Sequence, residues 1–203
     1  MKNKQFNIVV VGVGGQGLLT LLQILDEAAL SEGYDFKSAE IHGLSQRGGS
    51  VEVHIRFGQK IYSPLVNQGG ADLIISLEGQ EALKGIHFSS KKTIFLVNEF
   101  LVPIPDRETL KTKDISQILK RISKEVILIK ASDICQKEFG TDVVAGIYLL
   151  SYAISKKIIP LKKNSIISAI KKIIPEKHLE LNLKTFKNNI PELLIFYSYN
   201  FRS

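Results

Sequence analysis

The sequence predicts one three-layer α/β domain over residues 1–203, with a mostly parallel sheet, an antiparallel hairpin at one edge and a helical C-terminal part. Three observations predict it. The run Asn7-Ile8-Val9-Val10-Val11 opens straight into glycines and a segment of helical periodicity. Short apolar runs keep alternating with helical patterns as far as residue 130. Beyond that point only helical patterns remain. With 203 residues, 44% hydrophobic and 23% charged, the chain can bury one sizeable core and falls outside the disordered and fibrous classes. It contains no internal repeat and no low-complexity linker.

Residues 6–11, apolar except for Asn7 and β-branched from Ile8 to Val11, read as a strand buried on both faces. Leu18, Leu21, Leu22, Leu25, Ala28 and Ala29 then recur at i, i+3, i+4 and i+7, which marks an amphipathic helix ending near Gly33. Residues 34–41 suit a second strand. Val51, Val53, Ile55 and Phe57 alternate with Glu52, His54 and Arg56, the pattern of a half-exposed strand with His54 on its outer face. Gly58-Gln59 suggests a tight turn into Lys60-Ile61-Tyr62, so that 51–63 forms the antiparallel edge hairpin. Residues 72–77, 93–97 and 126–130 are further buried strands, with a short helix over 80–84. Helices follow near 132–138, over 142–157 and 164–174, and within 177–200. The 142–157 segment is apolar on nearly every side, which implies deep burial or a subunit interface.

Composition excludes several chemistries. One cysteine, Cys135, and four scattered His cannot make an internal disulfide, a thiolate metal cage or an iron–sulfur site. Any redox metal then belongs to a partner. Residues 1–6 are a short polar stub leading straight into the first strand, without the positive region followed by an apolar region and cleavage site of a secretion signal, and the apolar stretch 143–154 is shorter than the roughly 20 residues of a spanning helix. A cytoplasmic location without membrane attachment is expected. Residues 1–100 carry nine Lys/Arg against ten Asp/Glu, and residues 101–203 carry eighteen against ten. Lysine pairs beside isoleucine (156–157, 162–163, 171–172) read most simply as a solvated face over an apolar one, or else as a match to an acidic partner or anionic ligand. Nucleic acid is disfavoured because no aromatic-interleaved basic motif or reader module is present.

Two segments concentrate unusual residues. Gly12-Val13-Gly14-Gly15-Gln16-Gly17 satisfies G-x-G-x-x-G between strand and helix, a Rossmann-like arrangement. Gly12 permits the tight turn, Gly14 lets backbone approach a ligand, Gly17 allows close strand–helix packing, and free amides at the helix start attract an anion. Glu40 or Asp35 falls near the position of a ribose-binding carboxylate, which keeps nicotinamide binding open; the plainer reading is a compact crossing. The second segment, 40–50, holds three glycines with His42, Ser45, Gln46 and Arg47. Its amides and the Arg47 guanidinium suit a phosphate or carboxylate. No Ser/His/Asp order or metal spacing emerges, and His42 by itself reads as a loop histidine.

The glycine turn at 12–17 followed by His42-Gly43-Leu44-Ser45-Gln46-Arg47-Gly48-Gly49-Ser50-Val51 resembles the gamma-subunit, or third-domain, family of 2-oxoacid:ferredoxin oxidoreductases. Ile61-Tyr62-Ser63-Pro64-Leu65, Gly70-Ala71-Asp72-Leu73 and Glu78-Gly79-Gln80-Glu81-Ala82-Leu83 are similar to the branch containing the beta subunit of indolepyruvate:ferredoxin oxidoreductase. The resemblance runs over residues 7–100 and continues more loosely through Asn98 and the 143–150 helix.

It implies a subunit of an enzyme that oxidatively decarboxylates a 2-oxoacid, passes electrons to ferredoxin through iron–sulfur clusters and releases an acyl-CoA. Arylpyruvates, pyruvate, 2-oxoglutarate and branched-chain acids are handled by related complexes. Thiamine diphosphate, its magnesium ion and the clusters are then expected on partner subunits, in a hetero-oligomer with a homodimer contact also open, and the chain alone is expected to be inert. No catalytic residue or metal ligand is assigned here. Under the resemblance Gly12, Gly14, Gly15 and Gly17 shape the first loop. Gln16, Ser45, Gln46 and Arg47 supply polar contacts to CoA or substrate, with Gly48 and Gly49 in the same cradle. The 142–157 helix and the aromatic tail 196–201 are candidate partner-facing surfaces. Two alternatives stand beside this reading: a free-standing NAD(P)-binding dehydrogenase or regulator, and a non-catalytic basic interaction module.

Overall fold

The computed structural model describes residues 5–43, 48–103 and 110–188. Six strands form one sheet: β1 (Phe6–Val13), β2 (Asp35–His42), β3 (Ser50–Gly58), β4 (Leu73–Ser76), β5 (Ile94–Asn98) and β6 (Glu125–Ile129), in the order β2-β3-β1-β4-β5-β6. The pairs β1–β4, β4–β5 and β5–β6 are parallel. The strand β3 runs antiparallel to both of its neighbours, with Val10 opposite Val53 and Ala39 opposite His54.

Alternation along β1 divides the core. Ile8 and Val10 point into the larger layer, with α1 (Leu18–Ser31), α4 (Ala145–Ser155) and α5 (Lys163–Ile173). Val9 and Val11 point into a smaller layer, with Phe95 and Val97 of β5 and Ile115 and Leu119 of α2 (Thr112–Ile122). A 3-10 helix, Gln80–Phe88, completes that second face. Gly85 on it approaches Ile74 so closely that a Cβ would lie 2.8 Å from Ile74 Cγ2. Two further helices, α3 (Ala131–Phe139) and α6 (Glu176–Lys187), finish the first layer. Among the described residues no helix is long and apolar enough to cross a membrane.

Burial decides the reading of α4, because nine of its eleven residues are buried, and Gly146 lets it cross against Leu21 of α1. Three sequence expectations are corrected. The antiparallel hairpin is β2–β3, joined through 43–49. Residues 60–62 form no strand, because Arg56 and Asp35 bind the 61–65 backbone as an irregular loop: Arg56 Nη1 donates to the Ser63 and Leu65 carbonyls, and Asp35 Oδ2 accepts from the Ile61 amide. His54 is not a surface residue but 1% exposed. Its Nδ1 accepts from the Val66 amide, which places the ring hydrogen on Nε2, 2.7 Å from Glu52 Oε1. Finally, α2 is a helix that the sequence reading omits, although Ile115, Leu119 and Ile122 carry the right spacing.

Candidate functional site

The turn from β1 into α1 lies at the carboxyl edge of the parallel strands, where open α/β sheets bind ligands. Gly12 has no room for a side chain: a Cβ would sit 2.8 Å from Gln16 Oε1 and 3.2 Å from Leu77 Cβ. Gly15 and Gly17 are glycine for a different reason. Their φ angles are 103° and 82°, and a Cβ at either would meet nothing within 4 Å. The backbone there is conformationally specialised and open on its outer side, as an anion cradle requires. No acidic residue occupies the first turn of α1, so its positive dipole end is uncompensated locally.

The second segment stands directly beside the first. Val13 pairs with Ser50, and the Gly14 amide donates to the Gly49 carbonyl at 2.8 Å. Gly48 has φ 70°, and the Ser50 hydroxyl donates to Glu81 Oε2 at 2.5 Å. Glu78, buried beneath, accepts from the Glu81 amide through one oxygen and the Val102 amide through the other. The motif residues 78–81 therefore brace the rim through their carboxylates. Ser45, Gln46 and Arg47 lie outside the described residues; the described backbone on either side, at Gly43 and Gly48, ends at this rim.

Gln16 lines a cleft beside the turn and also braces the sheet. Its Oε1 accepts from the Val13 amide at 2.8 Å, and its Nε2 points to the Leu77 carbonyl at 3.4 Å. It clips the ends of β1 and β4 together. Gln16→Ala is expected to cost about 1 kcal/mol in urea unfolding. Gly12→Ala should be less destabilising in that background than alone, because the nearest obstruction has gone. A strictly additive double variant would show that the two residues do not share this space.

Beside the turn, a cleft of about 110 Å³ is lined by Gly15, Gln16, Asn98, Ser132, Asp142 and Val143, among others. Asn98 ends β5 and is 1% exposed; its Nδ2 donates to the Leu77 carbonyl at 3.1 Å and to Ser132 Oγ at 2.8 Å. Its Oδ1 accepts from the Ser132 amide at 3.2 Å, fixing the start of α3. The sequence reading assigns no role to Asn98, Ser132 or Asp142. Only a position at the end of a buried strand singles out Asn98. Cys135, one turn further along α3, is buried, and burial together with the Glu138 and Asp142 charges pushes its thiol up to about 12. It is not a nucleophile at neutral pH. Among the described residues no group of His, Cys, Asp and Glu could hold a metal ion. The nicotinamide reading loses its carboxylates: β3 separates β2 from the glycine turn, Glu40 is exposed, and Asp35 accepts from the Ile61 amide.

A sheet of this order, with a glycine turn tied to the β2–β3 loop at its carboxyl rim, defines a Rossmann-like α/β domain. The chain belongs to the family described as pyruvate ferredoxin/flavodoxin oxidoreductase, which matches residues 7–190. A relative from Archaeoglobus fulgidus, named indolepyruvate oxidoreductase subunit IorB, is 37% identical over 188 residues, covering 90% of this chain and 92% of the relative. The fold is similar to that of a keto/oxoacid ferredoxin oxidoreductase gamma subunit from Geobacter sulfurreducens (TM-score 0.67, 20% identity, 94% of this chain and 99% of that one). It is also similar to part of a 2-oxoglutarate:ferredoxin oxidoreductase from Magnetococcus marinus, solved with 2-oxoglutarate, coenzyme A and succinyl-CoA bound (TM-score 0.67, 18% identity, 92% of this chain and 30% of that one).

Proposed function

We propose that this chain is the subunit of an indolepyruvate-type 2-oxoacid:ferredoxin oxidoreductase that does not hold thiamine diphosphate, and that its glycine rim forms the wall of the active site contacting CoA or the oxoacid. The observation that carries the reading is the Gly14–Gly49 hydrogen bond, which puts both glycine segments on one rim. The fit to an anion is chemical as well as geometric: open backbone at Gly15 and Gly17, an uncompensated helix start, and Arg47 three residues before the β3 start.

Within such a complex this chain binds and orients. The amides of the turn and the Arg47 guanidinium hold a phosphate or carboxylate, while Gly48 and Gly49 keep the loop close enough to exclude water. Thiamine diphosphate on the partner supplies the carbon–carbon cleavage chemistry, and partner clusters carry electrons toward ferredoxin. The isolated chain turns over no oxoacid.

The test is steady-state kinetics of the assembled complex with Arg47→Lys. Lysine keeps the charge but loses the bidentate fork, so the KM for CoA or oxoacid should rise about tenfold with little change in kcat. An unchanged KM for both substrates removes Arg47 from the site. Tight NAD(P) binding by the isolated chain, measured calorimetrically, would favour the dehydrogenase reading instead.

A further inference from the structure

We propose that the chain's own C-terminal segment, residues 193–201, docks on the open edge of β6 as a seventh strand. The sheet has two edge strands, β2 and β6, and they are built differently. β2 carries Asp35, Lys37 and Glu40, all exposed, the charged decoration that keeps a free edge from pairing with another chain. β6 reads Glu125-Val126-Ile127-Leu128-Ile129, with one charge at its first position and no proline. Its three central side chains are only half-buried: Ile127 packs toward the larger layer, Val126 and Leu128 toward the smaller.

The backbone of this edge is open as well. The Glu99 amide donates to the Ile129 carbonyl across the β5–β6 pair, and alternation along the strand then turns the amides and carbonyls of Val126 and Leu128 away from β5. Among the described residues no group bonds them. An apolar edge with neither charge, proline nor cover is a template for pairing with any extended segment within reach.

The chain supplies such a segment at that place. Leu193-Leu194-Ile195-Phe196-Tyr197-Ser198-Tyr199-Asn200-Phe201 holds four aromatic residues and a β-branched one, the types that favour strands. Tyr197, Tyr199 and Phe201 alternate with Ser198, Asn200 and Arg202, the period of a strand with one apolar face. Pro191 divides this segment from α6, because the residue before a proline is pushed out of helical backbone. The end of α6 lies close to β6. The Ser151 hydroxyl donates to the Phe186 carbonyl at 2.6 Å, which seats the last turn of α6 against the middle of α4. Tyr152, the next residue of α4, has its phenol raised by burial and then by the charge of Glu125, the first residue of β6. Residues 189–192 span up to about 13 Å when extended. A tether this short holds the segment at a roughly millimolar effective concentration, which favours its own edge over that of a second copy.

The test is amide hydrogen exchange of the full-length chain, followed by NMR, against a variant carrying Phe196→Pro and Tyr199→Pro. The two positions have opposite parity, so one proline falls on the paired side of the segment whatever the register. The amides of Val126 and Leu128 should exchange about a hundredfold more slowly in the unsubstituted chain than in the variant. Those of Ile127 and Ile129, which face β5, should be equally protected in both and so report that the fold is kept. A chain ending at residue 190 should bare the same two amides. Equal exchange of Val126 and Leu128 with and without the substitutions overturns the proposal. Light scattering settles whose segment is bound: a monomer with this protection supports the proposal, whereas a dimer that the prolines dissociate assigns the segment to a second copy and overturns it. Protection that arises only when another subunit is added overturns it too.

Discussion

Replacing Asn98 by alanine should lower the unfolding free energy by about 3 kcal/mol, seen as a fall in the urea midpoint at unchanged slope. Asn98 is 1% exposed and joins three elements through one amide, bonding the Leu77 carbonyl at the end of β4, and both the hydroxyl and the amide of Ser132 on α3. Truncation leaves the Ser132 amide without its side-chain acceptor and removes the second donor to Leu77. Gln16 then holds that carbonyl by one long contact of 3.4 Å. Buried polar groups stripped of a partner cost about 1–3 kcal/mol each, more than the bond itself is worth, and this drives the estimate. Ser132→Ala should cost less, because it keeps the backbone amide paired with Asn98 Oδ1. Equal losses in the two variants would show that the backbone contact contributes nothing. In the assembled enzyme the Asn98 variant should also raise substrate KM, since the wall of the cleft moves with α3.

Asp26→Asn should do the opposite, stabilising the protein at neutral pH by about 2 kcal/mol. The Asp26 side chain is 8% exposed on α1; the Ser38 hydroxyl donates to its Oδ2 at 2.5 Å, while Oδ1 has no partner. Burial raises its pKa from 3.8 to about 6, with the Ser38 bond opposing. The folded state therefore keeps a proton that the unfolded chain loses near pH 4. The stabilising effect of that proton is complete below pH 4 and fades as pH rises through 6, after which the bare carboxylate is a burden. Asparagine carries no charge to desolvate. Its advantage should be largest in urea titrations at pH 7.5 and should nearly vanish at pH 4. An advantage independent of pH would mean that packing, not ionisation, separates the variants.

Both residues illustrate where sequence reasoning stops. The β1 strand, its glycine turn and α1 are legible because each is a local pattern: a β-branched run, positions requiring positive φ, and apolar residues at helical spacing. The proximity of the two glycine segments is not local. It follows from β3 inserting antiparallel between β2 and β1, which delivers Ser50 opposite Val13 and Gly49 to Gly14. The alternation in β3 also misleads. Glu52, His54 and Arg56 look like a wetted face, yet the 59–72 segment folds over them and uses their polar atoms: Val66 bonds His54, and Ser63 and Leu65 bond Arg56. A polar side chain has the same identity in the sequence whether water or a distant backbone amide satisfies it. The α2 helix carries its periodicity in Ile115, Leu119 and Ile122, but the lysines around them dilute the apolar pattern. The aromatic tail at 196–201, considered as a partner surface, lies outside the described residues.

The sequence by itself determined the alternation of strands and helices, the positions that only glycine can fill, the basic second half and the family resemblance, because propensity, periodicity, charge and motif are all carried by near neighbours in the chain. Only the tertiary structure decided that Gln16 braces two strand ends, that Asn98 pins α3 to the sheet, that His54 is interior, and that Asp26 is stranded with an unpaired oxygen. Those outcomes depend on which groups meet across tens of residues, and pairing and desolvation arise only once the layers have closed on one another.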